Sequence, residues 1–266
     1  MTITLRPHAP FAARLDLAGI TPAALAPLTL REAEYLQLPY GGRMRPLAEL
    51  FFIEGAGSAG PLVIEIGDAR LDNVGAGLEQ GEIIVDGDVG AWAGRGMSGG
   101  ALRIAGNAGE YLGAELAGGR IDVKGNADDH AGAASSGSRR GMSGGVLAIH
   151  GSAGKRLAER QRGGLIVVGG DAGEGLATDM IAGTVAVEGA IGALAGRGMK
   201  RGTVFTRSAP VLPAGFVDTG SHDLIALRLL SRRIADLKNL LDGVTSARRM
   251  VGDTLLGGQG EVLVLR

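Results

Sequence analysis

The sequence predicts an all-β protein, a right-handed parallel β-helix with short N-terminal and C-terminal helical flanks. Three observations predict it: a glycine-bounded motif that returns about every 19 residues, alternation of branched apolar residues inside the motif, and 48 glycines in a chain that is nonetheless 45% hydrophobic. Glycine at that level without a G-X-Y period excludes collagen, and so much apolar content excludes a disordered low-complexity chain.

The motif reads Gly-x-apolar-x-apolar-x-Gly and opens at Gly81, Gly100, Gly119, Gly145, Gly164 and Gly183, with offsets of 19, 19, 26, 19 and 19 residues. An imperfect copy precedes them at Pro61–Gly67 and a truncated one follows from Gly202. A unit this short cannot bury its own apolar face, so successive units must stack. Within the motif Ile83 and Val85, Leu102 and Ile104, Ile121 and Val123, and Leu147 and Ile149 point one way. Glu82, Arg103, Asp122 and Lys124 point the other, the period of a strand. A second inward position follows the closing glycine, at Val89, Ala108, Ala127, Ala153, Ala172 and Ile191. A third falls shortly before the next unit, at Met97, Leu116, Met142, Met180 and Met199, with Gln161 breaking the series. Three inward segments per unit, joined at glycine corners, describe one coil. A left-handed coil of hexapeptides would place an aliphatic residue at every sixth position, which is absent. The long interval carries seven extra residues, expected within Asp128–Arg140 as a loop on one edge and a candidate partner surface.

The flanks read as caps for the open ends of the stack. The chain divides into a lead-in over 1–60, repeats over 61–205 and a helix and tail over 206–266. Thr29-Leu-Arg-Glu32 has the form of a capping box and predicts a short helix ending before Pro39. Leu224, Leu227, Leu230, Ile234, Leu237 and Leu241 line one face of a later helix, which would lie along the repeats or dock on another subunit. Glu261–Leu265 predicts a last strand.

Composition removes many chemistries. Without cysteine there is no disulfide, thiolate metal site or cysteine nucleophile. Lys plus Arg (27) nearly balance Asp plus Glu (28), which gives no global nucleic-acid or membrane footprint. No apolar run is long enough to cross a bilayer, and Pro7, His8 and Pro10 interrupt the start where a signal peptide would be apolar, so a cytoplasmic location is expected.

The motifs with catalytic overtones read as turns. Gly94-Arg-Gly-Met-Ser-Gly99 has the letters of a dinucleotide fingerprint, but a strand repeat follows it where a helix is required. Ser98 and Ser143 both satisfy Gly-x-Ser-x-Gly, and two copies at equivalent corners argue against a nucleophile. His8, His130, His150 and His222 show no metal-ligand spacing, and Asp128-Asp-His130 is the one local acidic–histidine cluster. No catalytic or metal residue is assigned. Arg95, Arg140 and Arg197 are expected at one corner of their coils, an edge suited to an anionic ligand or acidic partner.

The 19-residue glycine repeats over Pro61–Phe205 with Gly-Arg-Gly-Met turns resemble the GXGXG domain shared by the C subunits of formylmethanofuran dehydrogenases and the C-terminal part of the large chain of glutamate synthase. Leu38-Pro-Tyr-Gly-Gly42 through Leu50–Gly55, and the overall length, are similar to the lead-in of those C subunits. The resemblance implies a non-catalytic scaffold subunit. In methanogens such a chain belongs to a tungsten or molybdenum dehydrogenase. In methylotrophs it belongs to a complex that moves a formyl group from tetrahydromethanopterin to a methanofuran-type carrier and releases formate. An Ala-, Arg- and Gly-rich composition favours the second setting. The implied partners are the amidohydrolase-like, dehydrogenase-like and formyltransferase subunits of that complex, with carrier and pterin used by the complex and no cofactor assigned to this chain. Glutamate-bearing carriers would meet the edge of Arg95, Arg140 and Arg197. The alternative is a free-standing GXGXG component of a split glutamate synthase, whose partners would be a glutaminase and a flavin synthase subunit.

Overall fold

The structure, a computed structural model, describes residues 2–57, 60–68, 70–223, 227, 229 and 232–266. It is mainly β with few helices. One sheet of 13 strands runs the length of the molecule, and a second sheet of four strands sits at the N-terminal end.

Each repeat adds one strand to the long sheet. Leu62–Gly67, Glu82–Gly87, Ala101–Ile104, Arg120–Val123, Val146–Ile149, Leu165–Val168, Thr184–Val187 and Thr203–Thr206 pair in parallel, each with the next. The register aligns like with like: Ile83, Leu102, Ile121, Leu147, Ile166, Val185 and Val204 form one inner row, each less than 2% exposed. A second ladder of single parallel bridges joins Val89, Ala108, Ala127, Ala153, Ala172 and Ile191, the residues expected on the second inward side. On the third side Met97, Leu116, Met142, Met180 and Met199 are fully buried, and backbone N–H groups cross from repeat to repeat, as from Ala117 to Met97 O and from Lys200 to Met180 O. Backbone polar groups of a glycine-rich chain need partners, and stacking supplies them on three sides.

Gln161 occupies the methionine row with no exposure. Its amide donates to the carbonyls of Gly163 and Gly164 at 3.0 and 3.2 Å, while its Oε1 has no partner. The Gly94-Arg-Gly96 string is a corner in which Gly94 and Gly96 both take left-handed φ, +65° and +63°. No helix follows, so the dinucleotide reading fails on geometry as well as on sequence. Ser98 and Ser143 are exposed at equivalent corners.

The ends are closed by pairing of a different sense. Ile3–Pro7 lies parallel to Leu62–Gly67 and antiparallel to Phe51–Glu54. The capping box forms as expected, with Thr29 and Glu32 exchanging side-chain-to-backbone bonds at the start of the Leu30–Glu34 helix. At the other end Gly260–Leu265 continues the parallel ladder beside Thr203–Thr206, then pairs antiparallel with Ser246–Gly252, which pairs with Val217–Asp223.

Two expectations need correction. The single C-terminal helix is broken: Ile234 is extended, and Ala235–Leu237 and Lys238–Leu241 follow as two short turns. Leu224 and Leu230 lie outside the described residues, whereas Leu227, Leu237 and Leu241 are buried. They pack on the outer sheet face over Leu165, Ala186, Phe205 and Leu263. That explains why the outward row changes from Arg103 and Asp122 to Ala148, Val167, Ala186 and Phe205: the later strands have a cover and the earlier ones do not. The seven extra residues lie in the later part of Asp128–Arg140, and the Asp128–His130 cluster is not among them. Asp128, Asp129 and His130 hold regular places, and Met142 N–H bonds Gly132 O at 3.0 Å straight across residues 134–140.

Leu147→Ala should cost about 2–5 kcal/mol, as for other buried leucines. Gly118→Ala should also destabilise strongly, because a Cβ there would lie 2.3 Å from Ser98 O. Gly96→Ala meets nothing within 4 Å and carries only the left-handed backbone cost of about 1–2 kcal/mol. Urea unfolding of the three variants would check that order.

Candidate functional site

The stack turns 19-residue spacing into columns of side chains on its outer surface, and three columns carry polar or aromatic chemistry. Trp92, Tyr111 and His130 are equivalent residues of consecutive repeats, all with left-handed φ, and their rings lie face to face. Trp92 and Tyr111 are 4.1 Å apart at 4°, and Tyr111 and His130 are 4.7 Å apart at 6°. Arg95 caps the column with its guanidinium 5.1 Å from the Trp92 ring centre, a cation–π contact. Parallel repeats place identical positions one strand spacing apart, close to ring-stacking distance. The signal was present in the sequence as three ring residues at 19-residue intervals.

A second column is a hydrogen-bond ladder. Asp88 Oδ1 accepts from Asn107 N at 2.6 Å, Asn107 Oδ1 from Asn126 N at 2.9 Å, and Asn126 Oδ1 from Ser152 N at 2.8 Å. Ser152 Oγ then accepts from Asp171 N and Asp171 Oδ1 from Ala190 N. These residues are the small or polar ones after each closing glycine. They fix the corner and leave Glu110, Asp128 and Glu174 beside them exposed.

The third group is a charge cluster on the uncovered part of the outer sheet face. Asp122 accepts from Arg120 Nη2 and Lys124 Nζ, each at 3.1 Å, and His150 Nε2 lies 3.1 Å from both Asp122 Oδ1 and Lys124 Nζ. Arg120 also grips Asp236 of the C-terminal segment with both Nη atoms, at 2.7 and 3.1 Å. The hydrogen bond to Asp236 pushes the Arg120 pKa further up, more than burial lowers it. Burial alone would raise the Asp122 carboxyl, but the bonds from Lys124 and Arg120 outweigh it and hold the group below its ordinary value. Arg120, His150, Glu188, Asp236 and Asn239 line an open cleft of about 360 Å³ between this face and the C-terminal segment.

The arginines singled out from the sequence do not share a corner. Backbone bonds from Gly77 to Arg95 O, Gly96 to Ala114 O, Glu115 to Ala133 O, Ala134 to Glu159 O, Arg160 to Thr178 O and Asp179 to Arg197 O define the column. Ala133 occupies the place expected for Arg140, which rides instead at the end of the inserted loop. The error came from aligning Gly-Met after the insertion with Arg attached, when the extra residues enter after Ala133 and Arg140 is one of them. Arg95 and Arg197 are equivalent but five repeats apart, about 24 Å at one strand spacing per repeat. His130 sits in the ring column and not in a loop; its Nδ1 lies 3.5 Å from the buried Glu159. Among the described residues no group of three or more His, Asp or Glu side chains is placed to hold a metal ion, and no helix is long and apolar enough to cross a membrane.

No protein-family model matches the chain. Among solved structures, it matches a chain of the X-ray structure of the formyltransferase/hydrolase complex from Methylorubrum extorquens with methylofuran. The two superpose with a TM-score of 0.91 and 43% identity over 98% of each chain. Among curated sequences, the C subunit of the formyltransferase/hydrolase complex of Methylorubrum extorquens is 48% identical over 87 residues, 33% of this chain and 32% of that protein. The C subunit of molybdenum-containing formylmethanofuran dehydrogenase 1 from Methanothermobacter thermautotrophicus is 37% identical over 95 residues, 35% of this chain and 24% of that protein. The matched stretches thus span about a third or less of these curated relatives. Taken with the end-to-end structural match, the chain belongs to the C-subunit family of formyltransferase/hydrolase complexes.

Two outcomes follow from the geometry. A depressed carboxyl stabilises the fold above its ordinary pKa, and that contribution is lost as pH falls through the lower folded value. Melting temperature should therefore drop on acidification below about pH 4 in the wild type, and Asp122→Asn should flatten that part of the profile. Trp92 is the chain's one tryptophan, so Tyr111→Ala, by uncovering a ring face, should shift its fluorescence emission to longer wavelength.

Proposed function

We propose that this chain is a non-catalytic scaffold subunit of a cytoplasmic formyltransferase/hydrolase-type complex in one-carbon metabolism, and that its repeats form a right-handed parallel β-helix. The observation that carries the reading is the match over 98% of both chains to a component of that complex. The β-helix is supported by one parallel strand per repeat and by the alanine ladder and methionine row on the other two sides. The domain division follows the same lines, with 1–60 and 206–266 as caps on 61–205.

In this reading the amidohydrolase-like, dehydrogenase-like and formyltransferase partners hold the reacting groups, and the stack keeps their sites at a fixed separation. A methanofuran-type carrier and tetrahydromethanopterin belong to the complex. Arg95 and Arg197 lie about 24 Å apart with Arg140 out of line, so the expected anionic edge reduces to two separated arginines along which an extended glutamate chain of the carrier would run. The higher identity to the bacterial protein than to the archaeal dehydrogenase component supports the formyltransferase/hydrolase setting.

Affinity purification of the tagged protein at endogenous level, with mass spectrometry, tests the proposal. An amidohydrolase-like protein and a formyltransferase should co-purify. Recovery of a glutaminase and a flavin-dependent synthase instead would move the chain to a split glutamate synthase.

A further inference from the structure

The near-neutral total charge hides a separation. On the edge that carries the alanine ladder, Glu110, Asp128 and Glu174 are exposed carboxylates, with Lys155 and the neighbouring Arg156 as the exposed cations among the repeat residues at that corner. On the methionine edge the balance reverses. Arg160 and Arg162 are followed by Arg197, Lys200 and Arg201, and the inserted loop adds Arg139 and Arg140. Two of the four carboxylates on this edge are already engaged. Glu159 is buried and paired with Arg156 at 2.9 Å, and Glu115 accepts from Ser135 N at 3.3 Å. Burial tends to raise Glu115, but its bonds to Ser135 and Ser138 and the charge of Arg95 keep it low and ionised. Asp179, 3.9 Å from Arg160, and Glu79, in the column of Arg162 and Lys200 at the N-terminal end of the edge, are the exposed acids there.

The loop at the centre of this edge contributes nothing to closing its repeat, because the Met142-to-Gly132 bond already does so. It is nevertheless held at several points. Just past its end, Gly141 N–H bonds Arg160 O. Arg160 Nη1 donates to Ser138 O at 2.8 Å, Arg162 Nη2 donates to Arg139 O at 3.4 Å, and Ser138 Oγ accepts from Arg140 N at 3.2 Å. Two arginines are thus used to fix the backbone that presents two more. The guanidinium groups of Arg139 and Arg140 are exposed and make no hydrogen bond or ion pair among the described residues.

We propose that the inserted loop, with Arg139 and Arg140 exposed at its C-terminal end and Arg160 and Arg162 bracing it, is the docking point for a carboxylate-rich segment of a partner protein in the complex. Guanidinium groups pair bidentately with carboxylates, and a loop already ordered loses little entropy on binding. The exposed acids of the opposite edge oppose a long polyanion wrapping the stack and favour a local acidic patch on a protein. This inference rests on the scaffold reading and adds to it the face and the chemistry of one contact.

The test uses the full chain in its assembled complex. Carbodiimide coupling joins carboxylates to lysine but not to arginine, so R139K/R140K should give a zero-length cross-link to an Asp or Glu of a single co-assembled partner that the wild type lacks. R139E/R140E should lower recovery of that same partner by at least about ten-fold, more so at low salt, with the remaining partners retained and the melting temperature unchanged. Wild-type recovery of every partner by R139E/R140E, no cross-link from R139K/R140K in an intact complex, or loss of bound carrier with all partners retained would each overturn the docking proposal alone. If the wild-type chain recovers no partner at all, the scaffold reading falls and this inference with it.

Discussion

The interaction on which the rest depends is the backbone hydrogen bond between equivalent residues of successive repeats. Because strand register pairs Ile83 with Leu102 and Leu102 with Ile121, a repeat one residue longer or shorter would turn its inner row outward. The 19-residue spacing is the length at which the strand, the alanine bridge and the methionine corner are all in register at once. The glycines follow from the same demand: Gly118 stands where a side chain would collide with the carbonyl of Ser98.

Register also writes the surface. Any residue type that recurs at one place in the repeat becomes a column, whether or not the fold needs it. The Asp88–Asn107–Asn126 ladder serves the fold, since each side chain satisfies a backbone donor in the next repeat. The Trp92–Tyr111–His130 stack, capped by Arg95, serves both packing and surface shape. Charge is sorted in the same way, so a chain with a formal net charge of −1 has an acidic edge and a basic one.

Repeats that obey the period were legible in the sequence almost residue by residue: the inner rows, the alanine positions and the intrusion of Gln161 all follow from counting. What counting missed lies where the period fails. The seven extra residues could be entered at several points between Asp128 and Arg140, and only the bond from Met142 to Gly132 decides among them. That misplacement carried Arg140 into the wrong column and His130 out of the right one. The broken C-terminal helix was hidden for a different reason. Apolar residues every three or four positions report which side is buried, but not that Ile234 is extended between two short turns laid over a sheet.

The inserted loop is hinged on a bond that closes the repeat without it. Selection can therefore lengthen, recharge or delete residues 134–140 and leave every strand of the stack where it was, an independence that compact single-core folds rarely grant to their surface loops. A lineage could rewrite those few codons while the stack that carries the loop passes unchanged to its descendants.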